Sequence, residues 1–143
     1  MLSQKGRYAL KALLILAARV PGEAMPIGEI ARTTNIPHKF LEAILLILKR
    51  ANLVVSARGK SGGYSLARPA SEISFGAIMR ATDGPIALLP CVSRNFYRPC
   101  ADCEEATCQL RKIMLDARHQ IGLVLDGTTL ADAIEDTAAP ALG

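Results

Sequence analysis

The chain has 143 residues, of which 50% are hydrophobic and 4% aromatic, with no Trp. That length and apolar content suffice for one compact domain with its own core, and they exclude a wholly disordered chain. The net charge of +4 is uneven, because residues 1–83 carry +7 and residues 84–143 carry −3. The asymmetry favours a polyanion partner for the amino-terminal part, with ordinary charge scatter as the alternative.

The first twenty residues share only part of the pattern of a signal peptide. Lys11 interrupts the apolar stretch, and Arg19-Val20-Pro21 lacks the small residues that cleavage requires. No apolar run approaches the roughly 20 residues needed to span a bilayer. The sequence therefore predicts a cytoplasmic protein with no membrane partner, in a compartment where thiols stay reduced.

Three helices are predicted within the first fifty residues. The first covers residues 3–20. A short helix, IGEIARTT at 27–34, is followed by a break at Asn35 and a longer helix, HKFLEAILLILKR at 38–50. The apolar stripes expected on the first and third helices are Tyr8, Leu10, Leu13, Leu14 and Ala17, and Phe40, Leu41, Ile44, Leu45 and Leu48. A short helix, a tight turn and a longer helix predict a helix-turn-helix.

Two short strands follow, LVVSA at 53–57 and YSLA at 64–67, joined by the glycine-rich turn RGKSGG. A helix-turn-helix followed by a basic hairpin is the winged-helix arrangement, in which one helix enters the major groove of DNA and the hairpin contacts the backbone or minor groove. The candidate DNA contacts are His38, Lys39 and Glu42 on the longer helix and Arg58, Lys60 and Ser61 on the hairpin tip. The alternative is a solvated helix surface with a Lys39–Glu42 ion pair.

Another short helix is predicted to start near Ser74, and a long helix to run from Cys108 to Leu125. Apolar residues on the long helix are separated by 4, 3, 4 and 3 positions, which is a heptad repeat. The predicted dimer interface is Leu110, Met114, Ala117, Ile121 and Val124. Pairing with the same helix of a second copy would bury these residues, and packing on the chain's own winged helix is the alternative.

Thr129 and Asp132 form an N-cap signature for a last short helix, LADAIED. The predicted fold is mainly α, a winged helix-turn-helix with a small β-hairpin wing and a long carboxy-terminal dimerisation helix. The predicted regions are a DNA-binding region at 1–84, a cysteine-rich loop at 85–108, the dimerisation helix with the closing helix at 109–137, and a flexible tail at 138–143.

All four cysteines lie in one polar segment, CVSRNFYRPCADCEEATC, as Cys91, Cys100, Cys103 and Cys108. Four thiolates can hold a [2Fe–2S] or [4Fe–4S] cluster, and equally a tetrahedral zinc ion. A thiol–disulfide switch is a further interpretation. A small CxxC redox enzyme is a remote alternative, because that motif is expected beside a βαβ unit. Without a Ser/His/Asp set, a phosphate loop or paired catalytic carboxylates, the sequence favours a protein that is not an enzyme.

Several segments together resemble the Rrf2 family of winged-helix transcription regulators, which includes IscR-like and NsrR-like members. The resemblance runs from residue 2 to residue 136 and rests on SQKGRYAL, FLEAILLILKRANLV, VVSARGKSGGYSLAR, ISFGAIMRATDG, the cysteine cluster before a long helix, and GTTLADAI. It implies a homodimer that binds double-stranded DNA, and a two-fold dimer prefers a pseudo-palindromic operator. It also implies an iron–sulfur cluster in the cysteine loop and a repressor that senses redox, iron or nitric oxide state.

The sequence also departs from the family's ligand patterns. IscR-like members use three cysteines and a histidine three residues after the last one. Here Cys91 and Cys108 match the outer cysteines, and Arg111 stands where the histidine would be. NsrR-like members use an acidic residue near the amino terminus of the partner chain, where this sequence has Arg7-Tyr8. The resemblance therefore leaves open the fourth ligand and whether Cys100, Cys103 or both bind.

Overall fold

The computed structural model describes residues 2–138, with side chains to residue 136. This range contains six α-helices and one antiparallel pair of strands. In chain order they are α1 (Gln4–Ala17), α2 (Ile27–Thr34), α3 (His38–Arg50), β1 (Val54–Ala57), β2 (Gly63–Leu66), α4 (Phe75–Asp83), α5 (Gln109–Gly127) and α6 (Leu130–Ala138). The predicted mainly α fold with a hairpin after the third helix is confirmed.

The core lies where α1, α2, α3, α4 and α6 meet around the start of the hairpin. Its fully buried large side chains are Leu13, Ile30, Leu41, Ile44, Leu45, Leu48, Leu53, Val54, Ile73, Ile78 and Leu130. In α1 the predicted stripe packs against the core, with Leu13 fully buried and Tyr8, Leu10, Leu14 and Ala17 half-buried. The sequence did not predict Ala9, Ala12 and Leu16, which complete the buried face. Small side chains at two of these positions allow neighbouring helices to approach α1 closely.

The prediction that Phe40 is buried was wrong, because the residue is 48% exposed. Its ring meets the ring of Tyr8 edge to face, with the centroids 5.6 Å apart. This geometry is favourable for an aromatic pair at the edge of a core. The contact fastens the start of α3 to α1 while the other predicted residues of α3 fill the core.

The start of the chain is fastened to the end of α4. Ser3 caps α1 through a hydrogen bond from the Gly6 amide to its hydroxyl oxygen, 2.9 Å. The Ser3 amide donates to Asp83 at 2.8 Å, and the Ser3 hydroxyl also donates to that carboxylate. A Cβ at Gly6 would lie 2.9 Å from Asp83 Oδ1, so only glycine allows this close approach.

The wing contains a third backbone segment that the sequence did not predict. β1 pairs with β2 from Val54 opposite Leu66 to Ala57 opposite Gly63. Met25 exchanges two backbone hydrogen bonds with Tyr64, of 2.8 and 2.9 Å, on the other side of β2. A Cβ at Gly63 would lie 2.2 Å from the Met25 carbonyl oxygen, so glycine is required there. This pairing connects the wing to the segment before α2.

Local signals predicted several helix boundaries well. α2 and α3 occupy the predicted residues, and α5 begins after Cys108 and extends to Gly127. The predicted cap of α6 is confirmed, because the Thr129 amide donates to Asp132 Oδ2 at 2.8 Å and the Asp132 amide donates to Thr129 Oγ1 at 3.2 Å. The described part of α6 extends to Ala138, and the rest of the predicted tail, residues 139–143, lies outside the described residues. None of the described helices is long and apolar enough to cross a membrane.

Candidate nucleic-acid interface and cysteine site

The side of α3 opposite the core is exposed to solvent. His38, Lys39 and Glu42 are all on this side. Glu42 lies 3.2 Å from Nδ1 of His38 rather than beside Lys39, so the ion pair considered from the sequence is not the one observed. Within the described residues the Lys39 ammonium has no ion-pair partner, and it can therefore meet a nucleic acid without first losing one.

Arg58, Lys60 and Ser61 lie together at the tip of the hairpin, and all three are exposed. The turn depends on Gly59, whose φ is +94°. Neither cation of the tip takes part in an ion pair in the part of the chain that the structure describes. The predicted contact residues thus form two exposed groups, one on α3 and one on the wing.

Lys49 connects the end of α3 to the wing through a 2.8 Å hydrogen bond to Ser56.

The cysteine segment is irregular apart from a single turn of 3₁₀ helix at Pro90–Val92. Cys91 is buried in that turn, Cys108 is half-buried at the start of α5, and Cys100 and Cys103 are exposed. The Cys103 thiol lies near enough to the thiols of Cys100 and Cys108 for both to influence its pKa. Three of the four thiols are therefore neighbours. Among the described residues, no three His, Cys, Asp or Glu side chains already form a metal-binding group.

The pKa values of the neighbouring thiols Cys103 and Cys108 are shifted in opposite directions. The Arg111 amide donates to the Cys108 sulfur at 3.4 Å, and this hydrogen bond at the start of α5 lowers the pKa of Cys108. The hydrogen bond with Cys100, followed by lost solvation and the bond with Cys108, raises the pKa of Cys103 to about 12. Neighbouring thiolates repel one another unless a cation lies between them. The donor set thus fits the chemistry of a thiolate-bound metal centre.

A polar network that the sequence did not predict joins the loop to α5. The Tyr97 hydroxyl donates to the Glu105 carboxylate, and Nε of Arg111 lies 3.9 Å from Oε2 of the same carboxylate. That nitrogen is buried and has no hydrogen-bond partner among the described residues. Arg111 occupies the position where the resemblance expects a histidine ligand. Here its side chain faces a loop carboxylate.

Two contacts connect α5 to the rest of the molecule near the cysteines. Arg118 of α5 donates a 2.9 Å hydrogen bond to the carbonyl of Val92, the neighbour of Cys91. Arg80 of α4 makes two hydrogen bonds to Asp126 of α5, of 2.7 and 2.9 Å, and these lower the pKa of the Asp126 carboxyl. Gly76 makes room for this pair, since a Cβ there would lie 2.0 Å from Asp126 Oδ1.

α5 is amphipathic but contributes no buried residue to the described chain. Of the predicted interface residues, Leu110, Ile121 and Val124 are 55%, 38% and 65% exposed, and Met114 and Ala117 are half-buried. Ile113 extends this apolar face and is 61% exposed, although the heptad spacing missed it. The alternative, in which the face packs on the chain's own winged helix, is not observed within the described residues.

Comparison with known proteins is consistent with this architecture. The family model for Rrf2, described as an iron-dependent transcriptional regulator, matches residues 2–136. The chain belongs to the Rrf2 family. An Rrf2-like HTH-type regulator of Rhodobacter capsulatus is 46% identical over 138 residues, which cover 94% of this chain and 92% of that protein. IscR of Vibrio atlanticus is 32% identical over 136 residues, covering 94% and 75% of the two chains.

Solved Rrf2 structures share the fold. CymR, the global cysteine regulator of B. subtilis, superposes with a TM-score of 0.77 at 33% identity and covers 93% of this chain and 95% of its own. IscR of T. potens gives a TM-score of 0.76 at 28% identity, with coverage of 100% and 93%. The relatives are transcriptional regulators of the winged-helix type. The protein is therefore a DNA-binding transcription regulator and not an enzyme, which removes the CxxC redox-enzyme alternative.

Proposed function

We propose that this Rrf2 protein is a homodimeric repressor in which the state of the cysteine loop sets the affinity for DNA. The observation that carries the proposal is the position of the four cysteines. They occupy the one segment between α4, which packs in the winged-helix core, and α5, whose apolar face is exposed. A change in this segment can therefore act on both the DNA-binding part and the dimer helix.

The exposed side of α3 would read base edges. The ammonium of Lys39 can donate to guanine, and the carboxylate of Glu42 can accept from the amino group of cytosine. His38, at the start of α3, is a candidate for a phosphate contact. Arg58, Lys60 and Ser61 on the wing tip would hold the backbone or enter the minor groove. This division assigns sequence preference to α3 and most of the salt-dependent affinity to the wing.

The apolar face of α5 would pair with its copy in a second chain. Its exposed side chains have no cover within the described residues, and their heptad spacing suits packing against another helix of the same sequence. A two-fold dimer places its two reading helices on one side of the DNA with a fixed separation. The operator would then be pseudo-palindromic, with half-sites about one helical turn apart.

An iron–sulfur cluster is the cofactor that we propose for the loop, held by Cys91 and Cys108 with Cys100, Cys103 or both. Bound there, such a cluster supplies chemistry sensitive to oxidants, iron supply or nitric oxide. The chain's own residues connect the loop to α5 at two places. Cys108 caps α5 through the Arg111 amide, and Arg118 holds the carbonyl next to Cys91. Ordering of the cysteines would thus change the position or mobility of the amino-terminal half of the dimer helix.

The alternative is the same dimeric regulator with zinc or a thiol–disulfide switch in the loop. It is favoured by the proximity of the Cys103 thiol to the thiol of Cys100, because neighbouring exposed thiols are suited to oxidation as a pair. Zinc would use the same thiolates without redox chemistry of its own. The two interpretations share the DNA-binding and dimer assignments and differ only in the chemistry of the loop.

Single serine variants of the four cysteines test the cofactor assignment. After anaerobic reconstitution with iron and sulfide, wild-type protein should absorb visible light and contain both elements. Cys91→Ser and Cys108→Ser should lose that absorption, whereas Cys100→Ser and Cys103→Ser should differ from each other if only one binds. If both bind, either loss should leave a labile cluster. Colourless wild-type protein with stoichiometric zinc, or with a Cys103 disulfide, would favour the alternative instead.

A further inference from the structure

A groove of about 550 Å³ lies between the end of α4, the start of the cysteine segment and α5. Its size falls in the range of pockets that bind metabolites, which is roughly 300–1,000 Å³. Pro85, Ile86 and Leu123 supply apolar surface, and Ser93 and Asn95 supply uncharged polar groups. The groove is separate from the proposed DNA contacts, and none of the cysteines lines it.

The charged side chains that line the groove are mostly positive. Arg80 comes from α4, Arg94 from the cysteine segment, and Arg118 from α5, with His119 beside it. Asp126 is the one carboxylate among the lining residues, so three guanidinium groups face a single negative charge. Such an excess of positive charge in a concave site is suited to an anion.

The three guanidinium groups also have hydrogen-bonding capacity to spare. Arg80 uses two nitrogens on Asp126, and Arg118 uses one on the Val92 carbonyl. Arg94 lies near enough to Asp126 to help lower the pKa of that carboxyl, yet it makes no hydrogen bond in the described part of the chain. A guanidinium has five N–H donors arranged to match a carboxylate or a phosphate. Each wall of the groove thus offers donors that the fold itself does not occupy.

We propose that this groove is a binding site for a small organic anion with a carboxylate or phosphate group. Arg94 and Arg118 would hold the anionic group, and the apolar wall of Pro85, Ile86 and Leu123 would pack against the carbon skeleton. Arg80 is already engaged by Asp126 and would contribute mainly through its charge. This assignment does not depend on the occupant of the cysteine loop.

Isothermal titration calorimetry on the full-length protein tests the site, with inorganic phosphate and succinate as probes and sodium chloride at matched ionic strength as the blank. At least one probe should bind saturably. Arg94→Gln removes the guanidinium that makes no hydrogen bond and should weaken binding about tenfold or more, as expected for loss of a charge-assisted hydrogen bond. Arg98→Gln changes a residue of the same segment outside the groove and should leave the affinity within about twofold, since its loss removes no contact to the anion.

The two probes distinguish the class of ligand. Binding of phosphate alone assigns the site to phosphate esters, and binding of succinate alone assigns it to carboxylic acids. Binding of both shows that the site accepts either anionic group. The proposal is overturned if neither probe gives saturable heat above the chloride blank. It is also overturned if Arg94→Gln binds like wild type, or if Arg98→Gln loses as much affinity, because the attraction would then not be located in the groove.

Discussion

The thiols of Cys103 and Cys108 are neighbours, yet the pKa of Cys108 is lowered and that of Cys103 is raised. Because the thiolate is the nucleophile, the reactivity of a cysteine follows its pKa as well as its exposure. The pKa of Cys108 lies below its usual value because of the Arg111 amide, and that of Cys103 is raised to about 12, chiefly by its hydrogen bond with Cys100. In reduced, metal-free protein we therefore expect iodoacetamide to modify Cys108 at a lower pH than Cys103.

Peptide mass spectrometry of alkylation rates between pH 7 and pH 10 measures this order. As the pH rises, Cys108 should become reactive first, and Cys103 should lag although it is the more exposed of the two. Cys91 is the internal control, because its burial should make it the slowest at every pH. Equal rates at Cys103 and Cys108, or a faster Cys103, would contradict this arrangement of the thiols.

Replacement of Gly76 by alanine is expected to destabilise the protein, although Gly76 lies inside a helix. Alanine in place of a helical glycine ordinarily stabilises a protein by about 0.5–1 kcal/mol. A Cβ at Gly76 would lie 2.0 Å from Asp126 Oδ1, so Gly76→Ala must displace the Arg80–Asp126 pair. We expect this change to lower the free energy of unfolding by about 1–3 kcal/mol, as for other overpacked sites.

Gly122→Ala is the matched control for that substitution. Gly122 lies inside α5, and its Cβ would come no closer than 3.9 Å to Asp126, the contact found there within the described chain. This variant should therefore be as stable as wild type or slightly more stable. Urea denaturation of both variants gives the comparison. A Gly76→Ala protein as stable as Gly122→Ala would show that the α4–α5 contact is looser than the structure has it.

At the scale of elements, α3 and the wing should contribute to DNA binding in different ways. Lys39→Ala and Glu42→Ala should reduce discrimination between DNA sequences by about 1–3 kcal/mol per lost base contact. Arg58→Ala should weaken binding to all sequences, and a phosphate contact would reduce the salt slope by about one unit. Lys112→Ala, an exposed cation on α5, is the control and should bind like wild type.

Fluorescence anisotropy with DNA selected by the wild-type protein from a random pool measures these effects at several salt concentrations. Selected and unrelated duplexes must both be titrated, because only their ratio separates base contacts from backbone contacts. If all three variants, Lys39→Ala, Glu42→Ala and Arg58→Ala, bound the selected DNA with wild-type affinity, α3 and the wing would not be the DNA-binding surface. If Lys112→Ala lost as much DNA affinity as Arg58→Ala, the loss would reflect net charge rather than a contact of the wing with DNA.

Elements whose ends are set by neighbouring residues could be predicted from the sequence. The Asn35 break separates α2 from α3, and the Thr129–Asp132 pair starts α6, because caps and turns act over three or four residues. Met25 beside Tyr64 and Arg80 beside Asp126 could not be predicted, since these contacts join residues 39 and 46 positions apart. The exposure of Phe40 also depends on a distant partner, Tyr8.

The candidate site was predictable in composition but not in arrangement. Clustering of the cysteines and the basic wing can be read directly from residue order. Three features depend on the path of an irregular loop, which no periodicity describes: the proximity of Cys103 to two other thiols, the burial of Cys91 and the hydrogen bond from Arg118 to Val92. The groove beside this loop was missed for the same reason, because its cations come from three separate segments.

The exposed apolar face of α5 predicts that the whole molecule is a two-fold dimer. Ile121→Glu would bury an unpaired charge between two copies of the helix and should give monomers. Lys112→Glu places the same carboxylate outside this face and should remain dimeric. Light scattering during size exclusion at micromolar concentration measures the mass of each variant. Wild-type protein that elutes as a monomer would contradict the dimer, as would an Ile121→Glu protein that stays dimeric.

If the state of the cysteine loop sets the affinity for DNA, removal of the iron must change that affinity. The affinity of wild-type protein for its selected DNA should be measured anaerobically before and after the iron is stripped by a chelator, with Cys91→Ser carried through the same steps. We expect a change of about 5–150-fold in wild type, the range of a typical coupling free energy. Cys91→Ser should show the same affinity at both steps. Equal affinity of reconstituted and stripped wild-type protein would show that the cysteine loop does not control DNA binding.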